Sequence, residues 1–187
     1  MATDDTDEAL MLRYAAGDAA AFETLYARHK GPLFRYFQRQ CEPSQAEELF
    51  QDVWMRLIKS RESYQVEAKF TTYLYRIAHN RLVDHYRMRA RRDETSLDAA
   101  SEDDGYEPAA PATEEPSAIS GRREQVARFA EALDNLPEEQ REAFVLREEG
   151  GLSLDEIAAA TNVGRETAKS RLRYAVSRLR KALEEYR

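Results

Sequence analysis

Apolar residues recur at intervals of three and four positions along most of this 187-residue chain, which is the period of an amphipathic helix. Before residue 93 the pattern predicts four helices. The first helix is capped by Thr6 and ends at Gly17-Asp18, and the second runs from Ala19 through Phe37 with a kink at Gly31-Pro32. The third is capped by Ser44 and has an apolar side that continues through Leu57. The fourth runs from Phe70 to about Arg92. A loop over residues 61–69 separates the last two.

The second half of the chain continues the helical pattern and ends in a helix-turn-helix. Residues 122–135 and 138–147 are predicted helices, and Ser153 with Glu156 has the spacing of a capping box at the start of the next one. The segment Asn162-Val163-Gly164 predicts a turn, because Asn and Gly tolerate left-handed backbone angles. A final helix from Arg165 is expected to bury apolar residues three and four apart: Ala168, Leu172, Ala175, Val176, Leu179 and Leu183.

Residues 93–121 break this pattern. They contain nine acidic and no basic side chains and three of the six prolines, a composition that cannot bury enough apolar surface to fold alone. We therefore predict an all-α protein made of two small helical domains, residues 1–92 and 122–187, joined by a flexible acidic linker over 93–121.

Charge is distributed unevenly along the chain. The formal net charge is −7, yet residues 53–92 carry ten basic and three acidic side chains, and residues 165–187 carry eight and three. Two basic patches on either side of an acidic tether indicate two contacts with nucleic acid.

Other features of the composition narrow the class of protein. The single cysteine, Cys41, excludes an internal disulfide and fits a reducing compartment. No apolar run is long enough to cross a bilayer, and the acidic N-terminus is not a signal peptide. We expect a cytoplasmic protein without membrane insertion.

The last predicted helix carries polar and basic residues opposite its apolar stripe, namely Arg165, Glu166, Lys169, Ser170 and Arg173. A recognition helix places its base and phosphate contacts there when it lies in the major groove. The alternative is a helical hairpin with a solvated basic face.

The fourth helix has a second candidate surface. Tyr73, Arg76, Asn80 and Arg87 share one stripe, on which bases could stack on the tyrosine, the amide could read a base edge and the arginines could hold phosphates of single-stranded DNA. The alternative is an ordinary exposed face, with Arg81 and Asp84 forming an ion pair. The third helix carries a mainly acidic strip off its apolar side, formed by Glu47, Glu48, Gln51, Asp52 and Arg56. By itself, this strip indicates only a solvated face.

Three segments taken together are more specific: AEELFQDVWMRLIKS at 46–60, FTTYLYRIAHNRLVDHYR at 70–87 and LPEEQREAFVLREEGGLSLDEIAAATNVGRETAKSRLRYAVSRLRKAL at 136–183. In this order, they resemble the extracytoplasmic-function (ECF) sigma factors, the small two-domain members of the sigma-70 family of bacterial RNA polymerase. The resemblance covers both predicted domains and leaves only the linker unmatched.

The resemblance implies a role for each surface. The first domain is similar to sigma region 2, a helical bundle, and the second to sigma region 4, a helix-turn-helix. Core polymerase binding through the β′ clamp helices is implied for Glu48, Gln51, Asp52 and Arg56. Melting of the minus-ten element and capture of its single strand is implied for Tyr73, Arg76, Asn80 and Arg87, with the loop at 62–69 shaping a pocket for an extruded base. Duplex recognition of the minus-thirty-five element is implied for Arg165, Glu166, Thr167, Lys169, Ser170, Arg171 and Arg173.

The implied partners are core RNA polymerase, through its β′ clamp helices and β flap, promoter DNA, and an anti-sigma factor. No cofactor is implied, and the protein would join the nucleoid when in holoenzyme. Tyr73 stands where many relatives have tryptophan. The smaller tyrosine ring would stack on a base with less area. The acidic linker could mimic the nucleic-acid backbone in a positively charged channel of the polymerase; a simple solvated spacer is the alternative.

Two other classes of function fit the sequence less well. A free-standing helix-turn-helix regulator would use the second domain but leaves residues 1–92 unexplained. An enzyme is disfavoured, because His29, His79 and His85 have no metal-ligand spacing and the chain lacks a glycine-rich phosphate loop.

Overall fold

The computed structural model describes residues 5–96 and 118–184, and within these ranges the chain is helical with no strand. The helices are α1 Asp7–Ala15, α2 Ala19–Gln38, α3 Pro43–Ser60, α4 Phe70–Ser96, α5 Ala118–Asp134, α6 Glu138–Glu148, α7 Leu154–Ala160 and α8 Arg165–Glu184, with one 3-10 turn at Arg61–Ser63. The all-α prediction is confirmed. The predicted linker lies for the most part outside the described residues, in the gap at 97–117.

The helix starts follow from local chemistry, with one exception. Thr6 caps α1 by accepting a hydrogen bond from the Ala9 N–H at 3.3 Å, as predicted, and Asp18 caps α2. The predicted cap at Ser44 is wrong, since α3 begins at Pro43 with Glu42 as its N-cap residue. Proline suits the first helical position because its fixed φ is helical and its missing N–H would have no partner there.

The first domain packs α1 to α4 around a buried core that includes Leu25, Phe37, Leu57 and Phe70. α2 is assigned as one continuous helix with Pro32 in its interior. An aromatic cluster on Trp54 joins α2 to α3, formed by Phe22, Tyr26, Phe50 and Trp54. This core holds α3 and α4 against each other and so fixes the two surfaces discussed below.

The second domain packs α6 and α7 against α8. The predicted capping box is present: the Glu156 N–H donates to the Ser153 hydroxyl, and the Ser153 N–H donates to the Glu156 carboxylate. Asn162 has φ 53°, so the left-handed residue of the turn is the asparagine. α8 then begins at Arg165, as predicted.

The predicted buried stripe of α8 is correct only in part. Ala168, Ala175 and Leu179 are buried, whereas Val176 is 38% exposed and Leu183 40% exposed. Val176 lies about 100° around the helix axis from Ala175. It therefore sits at the edge of the narrow strip that the neighbouring helices cover, and more than a third of the residue remains exposed to solvent.

The two domains touch. α7 packs against α4, and the buried apolar residues of both domains form one continuous cluster. The side of α4 that meets α7 is therefore covered, whereas Arg76 and Asn80 of α4 and the outer side of α8 remain exposed.

Candidate nucleic-acid interface

A groove follows the exposed side of α4 and has a volume of about 590 Å³. We call it the α4 groove; its lining residues are Arg56, Lys59, Ser60, Ser63, Tyr73, Arg76, Ile77 and Asn80. Three of the four side chains predicted to bind single-stranded DNA meet here, namely Tyr73, Arg76 and Asn80. Arg87 is exposed further along the same helix, outside this lining.

The charge of the α4 groove comes from two helices. Arg56 and Lys59 on α3 face Arg76 on α4 across it, and none of its lining residues is acidic. An open basic groove with an aromatic ring in its wall combines backbone attraction with base stacking, the two interactions by which proteins hold single strands.

A second cavity, the loop pocket, lies beside the groove between residues 63–68 and α4 and has a volume of about 410 Å³. It is lined by Ser63, Tyr64, Gln65, Glu67, Ala68, Thr72, Tyr73, Arg76 and Ala159. Tyr73 and Arg76 thus line both cavities and connect them. The predicted loop at 62–69 does border a pocket.

Two hydroxyl groups in the wall of the loop pocket lack hydrogen-bond partners among the described residues. These are Thr72 Oγ1 and Tyr64 Oη, on side chains that are 5% and 8% exposed. Burial raises the pKa of Tyr64 to about 12, so its hydroxyl keeps its proton at neutral pH. Both hydroxyl oxygens are themselves buried, so neither is open to the cavity although their residues line it.

Tyr73 is held in place by three neighbours. Its hydroxyl is 2.8 Å from Ser60 Oγ, the Tyr64 ring packs edge-on at 5.1 Å between centroids, and the Arg76 guanidinium lies 5.9 Å from its ring centre. The sequence did not reveal Ser60, Tyr64 or Thr72. Tyr64 could have been found from the sequence, because an aromatic residue in an otherwise polar loop needs a packing partner.

The acidic strip of α3 lies on the outer side of the first domain. Glu48, Gln51 and Arg56 are exposed, and Asp52 is half-buried. The Asp52 carboxylate forms an ion pair with Arg81 of α4, and Arg81 also reaches Asp84 at 3.5 Å. Sequence reasoning found the Arg81–Asp84 pair but missed the closer contact with Asp52, which crosses from one helix to another.

The first turns of α8 carry the predicted duplex-reading side chains, and most of them face solvent. Arg165, Glu166, Thr167, Lys169 and Arg173 are exposed, while Ser170 and Arg171 are half-buried. These residues divide into an outer face and a flank, as follows from their ion pairs.

Lys169 and Arg173 lie on the outer face, where Lys169 Nζ is 3.5 Å from Glu166 and Arg173 lies over the Tyr174 ring. Arg171 lies on the flank, turned towards Glu139 of α6 at 3.4 Å. Arg165 pairs with Asp155 of α7 at 2.9 Å. The structure therefore does not bring all seven residues onto one surface.

Within residues 5–96 and 118–184, no group of three or more His, Cys, Asp or Glu side chains is arranged to hold a metal ion. No helix in those ranges combines the length and apolarity needed to cross a membrane.

Two family models match the chain. Sigma-70 region 2 matches residues 25–92, which include the α4 groove and the α3 strip. Sigma-70 region 4 matches residues 132–181, which include the helix-turn-helix.

Curated relatives match nearly the whole chain. The ECF RNA polymerase sigma-E factor of Haemophilus influenzae is 33% identical, and the match covers 92% of each chain. The RNA polymerase sigma-H factor of Pseudomonas aeruginosa is 30% identical, with 98% of this chain and 97% of the relative covered.

Solved structures share the fold. CnrH, in complex with the cytosolic domain of CnrY, aligns with a TM-score of 0.69 at 22% identity over 97% of this chain and 99% of CnrH. The sigma factor RpoE of Bartonella quintana, in complex with the anti-sigma factor NepR, aligns with a TM-score of 0.68 at 24% identity over 89% of this chain and 98% of that one.

Proposed function

Because the chain belongs to the extracytoplasmic-function sigma factors of the sigma-70 family, we propose that its two basic surfaces read two different forms of promoter DNA. The α4 groove captures the melted non-template strand of the minus-ten element, and the outer face of α8 reads the minus-thirty-five element as duplex. The connection between the α4 groove and the loop pocket through Tyr73 and Arg76 carries the proposal for the first surface.

The α4 groove and the loop pocket bind different parts of the single strand. Lys59 and Arg76 attract its phosphates, and one base stacks on Tyr73 while another enters the loop pocket. Extruding a base costs a few kcal/mol. Stacking on Tyr73 and the contacts made inside the loop pocket offset part of that cost. Asn80 lies further along the groove, where its amide can read a neighbouring base.

The α3 strip is the proposed contact with the β′ clamp helices of core polymerase, through Glu48, Gln51, Asp52 and Arg56. Arg81 holds the Asp52 carboxylate at the surface, so the acidic contact is fixed before the polymerase arrives. On the second domain, Lys169 and Arg173 face outward for contacts in the major groove, with Arg165, Glu166, Thr167 and Ser170 around them and Arg171 at the flank.

The remaining assignments follow from the family. The chain supplies no catalysis of its own and needs no cofactor. It directs the polymerase, which carries out the catalysis. We also propose that the β flap contributes to core binding. We further propose that an anti-sigma factor holds the chain inactive, as the anti-sigma factor NepR in the complex of the Bartonella quintana RpoE suggests. Its place of action is then the cytoplasm, on the nucleoid when in holoenzyme.

A free-standing helix-turn-helix regulator is the weaker account. It gives no use to the α4 groove, the α3 strip or the loop pocket, whose lining residues belong to the first domain except for Ala159.

Transcription from fragmented genomic DNA by purified bacterial core polymerase, with and without the chain, tests the proposal. We expect new transcripts from discrete start sites, with two short shared sequences upstream of them. Permanganate footprinting at those sites is expected to show unpaired thymines around the minus-ten element. The absence of new transcripts, together with tight duplex binding by the chain alone, would favour the free-standing regulator.

A further inference from the structure

Helix α1 meets the start of α4 through a carboxylate. The Phe70 N–H donates to Glu8 Oε1 at 2.6 Å, although the two residues are 62 positions apart. The first N–H groups of a helix have no partner within that helix. The side chain just before Phe70 is Lys69, which has hydrogen-bond donors and no acceptor. Glu8 therefore supplies, from another helix, a cap that Lys69 cannot provide.

The packing of α1 on α2 holds Glu8 in this position. Its neighbour Asp7 pairs with the Arg28 guanidinium at 2.8 Å and lies 2.7 Å from His29 Nε2. The centre of the His29 ring is in turn 5.2 Å from the centre of the Phe70 ring. Two side chains of α2 thus hold α1 at the point where Glu8 meets α4.

α1 also contacts the other end of the loop that borders the loop pocket. Arg61 lies in the 3-10 turn where this loop begins, and its guanidinium is 5.9 Å from the centre of the Tyr14 ring. Tyr14 packs against Phe22 of α2 with 4.8 Å between ring centres. Because Glu8 binds Phe70 and Tyr14 contacts Arg61, α1 is attached to both ends of the loop.

Glu8 also lies close to the wall of the loop pocket. Burial and the negative charge of Glu8 both raise the pKa of Tyr64, whose ring packs edge-on against Tyr73 at 5.1 Å. The Phe70 ring, on the residue whose N–H is capped, lies 6.4 Å from the Tyr73 ring. Since Tyr64 and Tyr73 both line the loop pocket, a shift at the start of α4 changes the shape of that pocket.

α1 itself does not form the wall of either cavity. The structure describes the whole of Asp7–Ala15, and none of these residues lines the α4 groove or the loop pocket. The sigma-70 region 2 model also begins after this helix, at residue 25. An effect of Glu8 on a bound base must therefore act through Phe70 and Tyr64.

We infer that Glu8 is a positioning residue for base capture: it caps α4, holds the end of the loop over 61–69, and so sets how strongly the loop pocket prefers one base. The role of the pocket rests on the proposed function, whereas the cap on α4 is a property of the free chain. Glu8 and Phe70 both belong to the first domain, so the cap does not depend on where the second domain lies.

Hydrogen–deuterium exchange on the full-length chain without DNA tests the cap. Glu8→Ala removes the acceptor, whereas Glu8→Gln keeps an acceptor oxygen on a side chain of the same length. We expect Glu8→Ala to speed exchange in peptides covering 61–73 about tenfold, as for the loss of one charge-assisted hydrogen bond. Glu8→Gln is expected to stay near the parental rate. Glu23→Ala, at an exposed glutamate of α2, is the matched control and is expected to change nothing.

The second readout is the base preference of the holoenzyme. The rate of open-complex formation is measured on four promoters that differ only at the extruded base, which is located by single-base substitutions in the mapped minus-ten element. We expect Glu8→Ala to lower the ratio between the preferred base and the others, and Glu8→Gln to restore it. A general weakening of the first domain would slow opening equally on all four promoters and leave this ratio unchanged.

Each result decides a separate part of the inference. Parental exchange over 61–73 in Glu8→Ala would overturn the cap. Faster exchange with an unchanged base ratio would overturn the positioning role, and so would a Glu8→Gln holoenzyme whose ratio stays as low as that of Glu8→Ala. A parental holoenzyme that opens no promoter would instead contradict the proposed function. The exchange measurement uses no DNA, so it would still decide on the cap.

Discussion

Tyr73 shows how a single residue acquires a function from its neighbours. Its hydroxyl points to Ser60 at 2.8 Å, so the ring is held in one position between the α4 groove and the loop pocket. A fixed ring loses less conformational entropy when a base stacks on it. The bond to Ser60 can thus offset the smaller area that tyrosine offers compared with tryptophan.

Ser60→Ala removes this bond and retains the ring, as does Tyr73→Phe. We expect each to slow open-complex formation about twofold to thirteenfold, the range set by one hydrogen bond of about 0.5–1.5 kcal/mol, while affinity for core polymerase stays unchanged. Permanganate footprinting reports opening, and a core-binding titration reports affinity. Ser44→Ala, at an exposed serine of the same helix α3, is the control. If Ser60→Ala opens promoters at the parental rate while Tyr73→Ala does not, the ring needs no anchor.

Glu156 supplies a pH-dependent contribution to stability. Burial raises its pKa, but hydrogen bonds from Lys69 and Ser153 outweigh that effect and lower the pKa from 4.5 to about 2. A carboxylate with a depressed pKa stabilises the folded state above the unfolded pKa, and this stability is lost as the pH falls from 4.5 to about 2.

The replacement Glu156→Gln cannot titrate, so its free energy of unfolding is expected to fall less than that of the parent over this pH interval. Urea unfolding at pH 7 and at several values below 4.5 measures the difference. Glu148→Gln, at an exposed glutamate, is expected to follow the parent curve. Parallel curves for the parent and Glu156→Gln would contradict the assignment.

At the scale of the element, each side of helix α8 makes different contacts. Its buried side packs on α6 and α7, its flank carries Arg171 against Glu139, and its outer face carries Lys169 and Arg173. The direction in which a side chain leaves the helix, more than its charge, decides which residue can reach a base.

Lys169→Ala is expected to weaken binding to the minus-thirty-five duplex by about 1–3 kcal/mol if Lys169 contacts a base, with the loss concentrated on the preferred sequence. Arg178→Ala removes an exposed positive charge from a later turn of α8 and is expected to have a smaller effect. Duplex titrations at fixed salt with preferred and scrambled sequences distinguish the two. An equal loss on both duplexes would reduce Lys169 to a phosphate contact.

Helices α3 and α4 share one ion-pair network that presents Asp52. Asp52→Arg is expected to weaken association with core polymerase, because it reverses the charge of the proposed contact and repels Arg81. Asp84→Arg also disturbs Arg81 but leaves the α3 strip intact, so it controls for the loss of the ion pair. Competition for core polymerase against a labelled sigma factor measures both. Equal weakening by the two substitutions would place the interface elsewhere.

At the scale of the whole molecule, one glycine shows how closely the domains pack. An added Cβ at Gly150 would lie 2.8 Å from the Leu146 carbonyl oxygen, 2.8 Å from Leu152 Cδ1 and 3.0 Å from Tyr75 Cε2. The first of these is backbone and cannot move aside. By contrast, a Cβ at Gly164 would meet no atom within 4 Å.

Gly150→Ala is therefore expected to destabilise the fold by about 1–3 kcal/mol, the usual cost of overpacking, which corresponds to a fall in Tm of about 2–4 °C per kcal/mol. Gly164→Ala is expected to leave Tm close to the parental value. Differential scanning calorimetry measures both transitions. A Gly150→Ala protein as stable as the parent would show that the turn after α6 can adjust at little cost.

Local patterns account for much of what could be predicted. The helices follow from apolar periodicity, and the caps at Thr6 and Ser153 follow from side chains three residues from their partners. The same locality explains the errors. Ser44 is a good capping residue in isolation, but Pro43 starts the helix before it, and Val176 fits the apolar stripe but lies beyond the strip that neighbouring helices cover.

The sequence by itself thus determined the helical class, the two basic patches and the family, because each depends on residues close together in the chain or on the order of its segments. Only the tertiary structure joined Ser60 to Tyr73, Asp52 to Arg81, and Glu142 to Tyr36 and His79. Contacts between helices depend on how whole elements pack. A glutamate on α6 carries no local sign that its partners lie in the other domain.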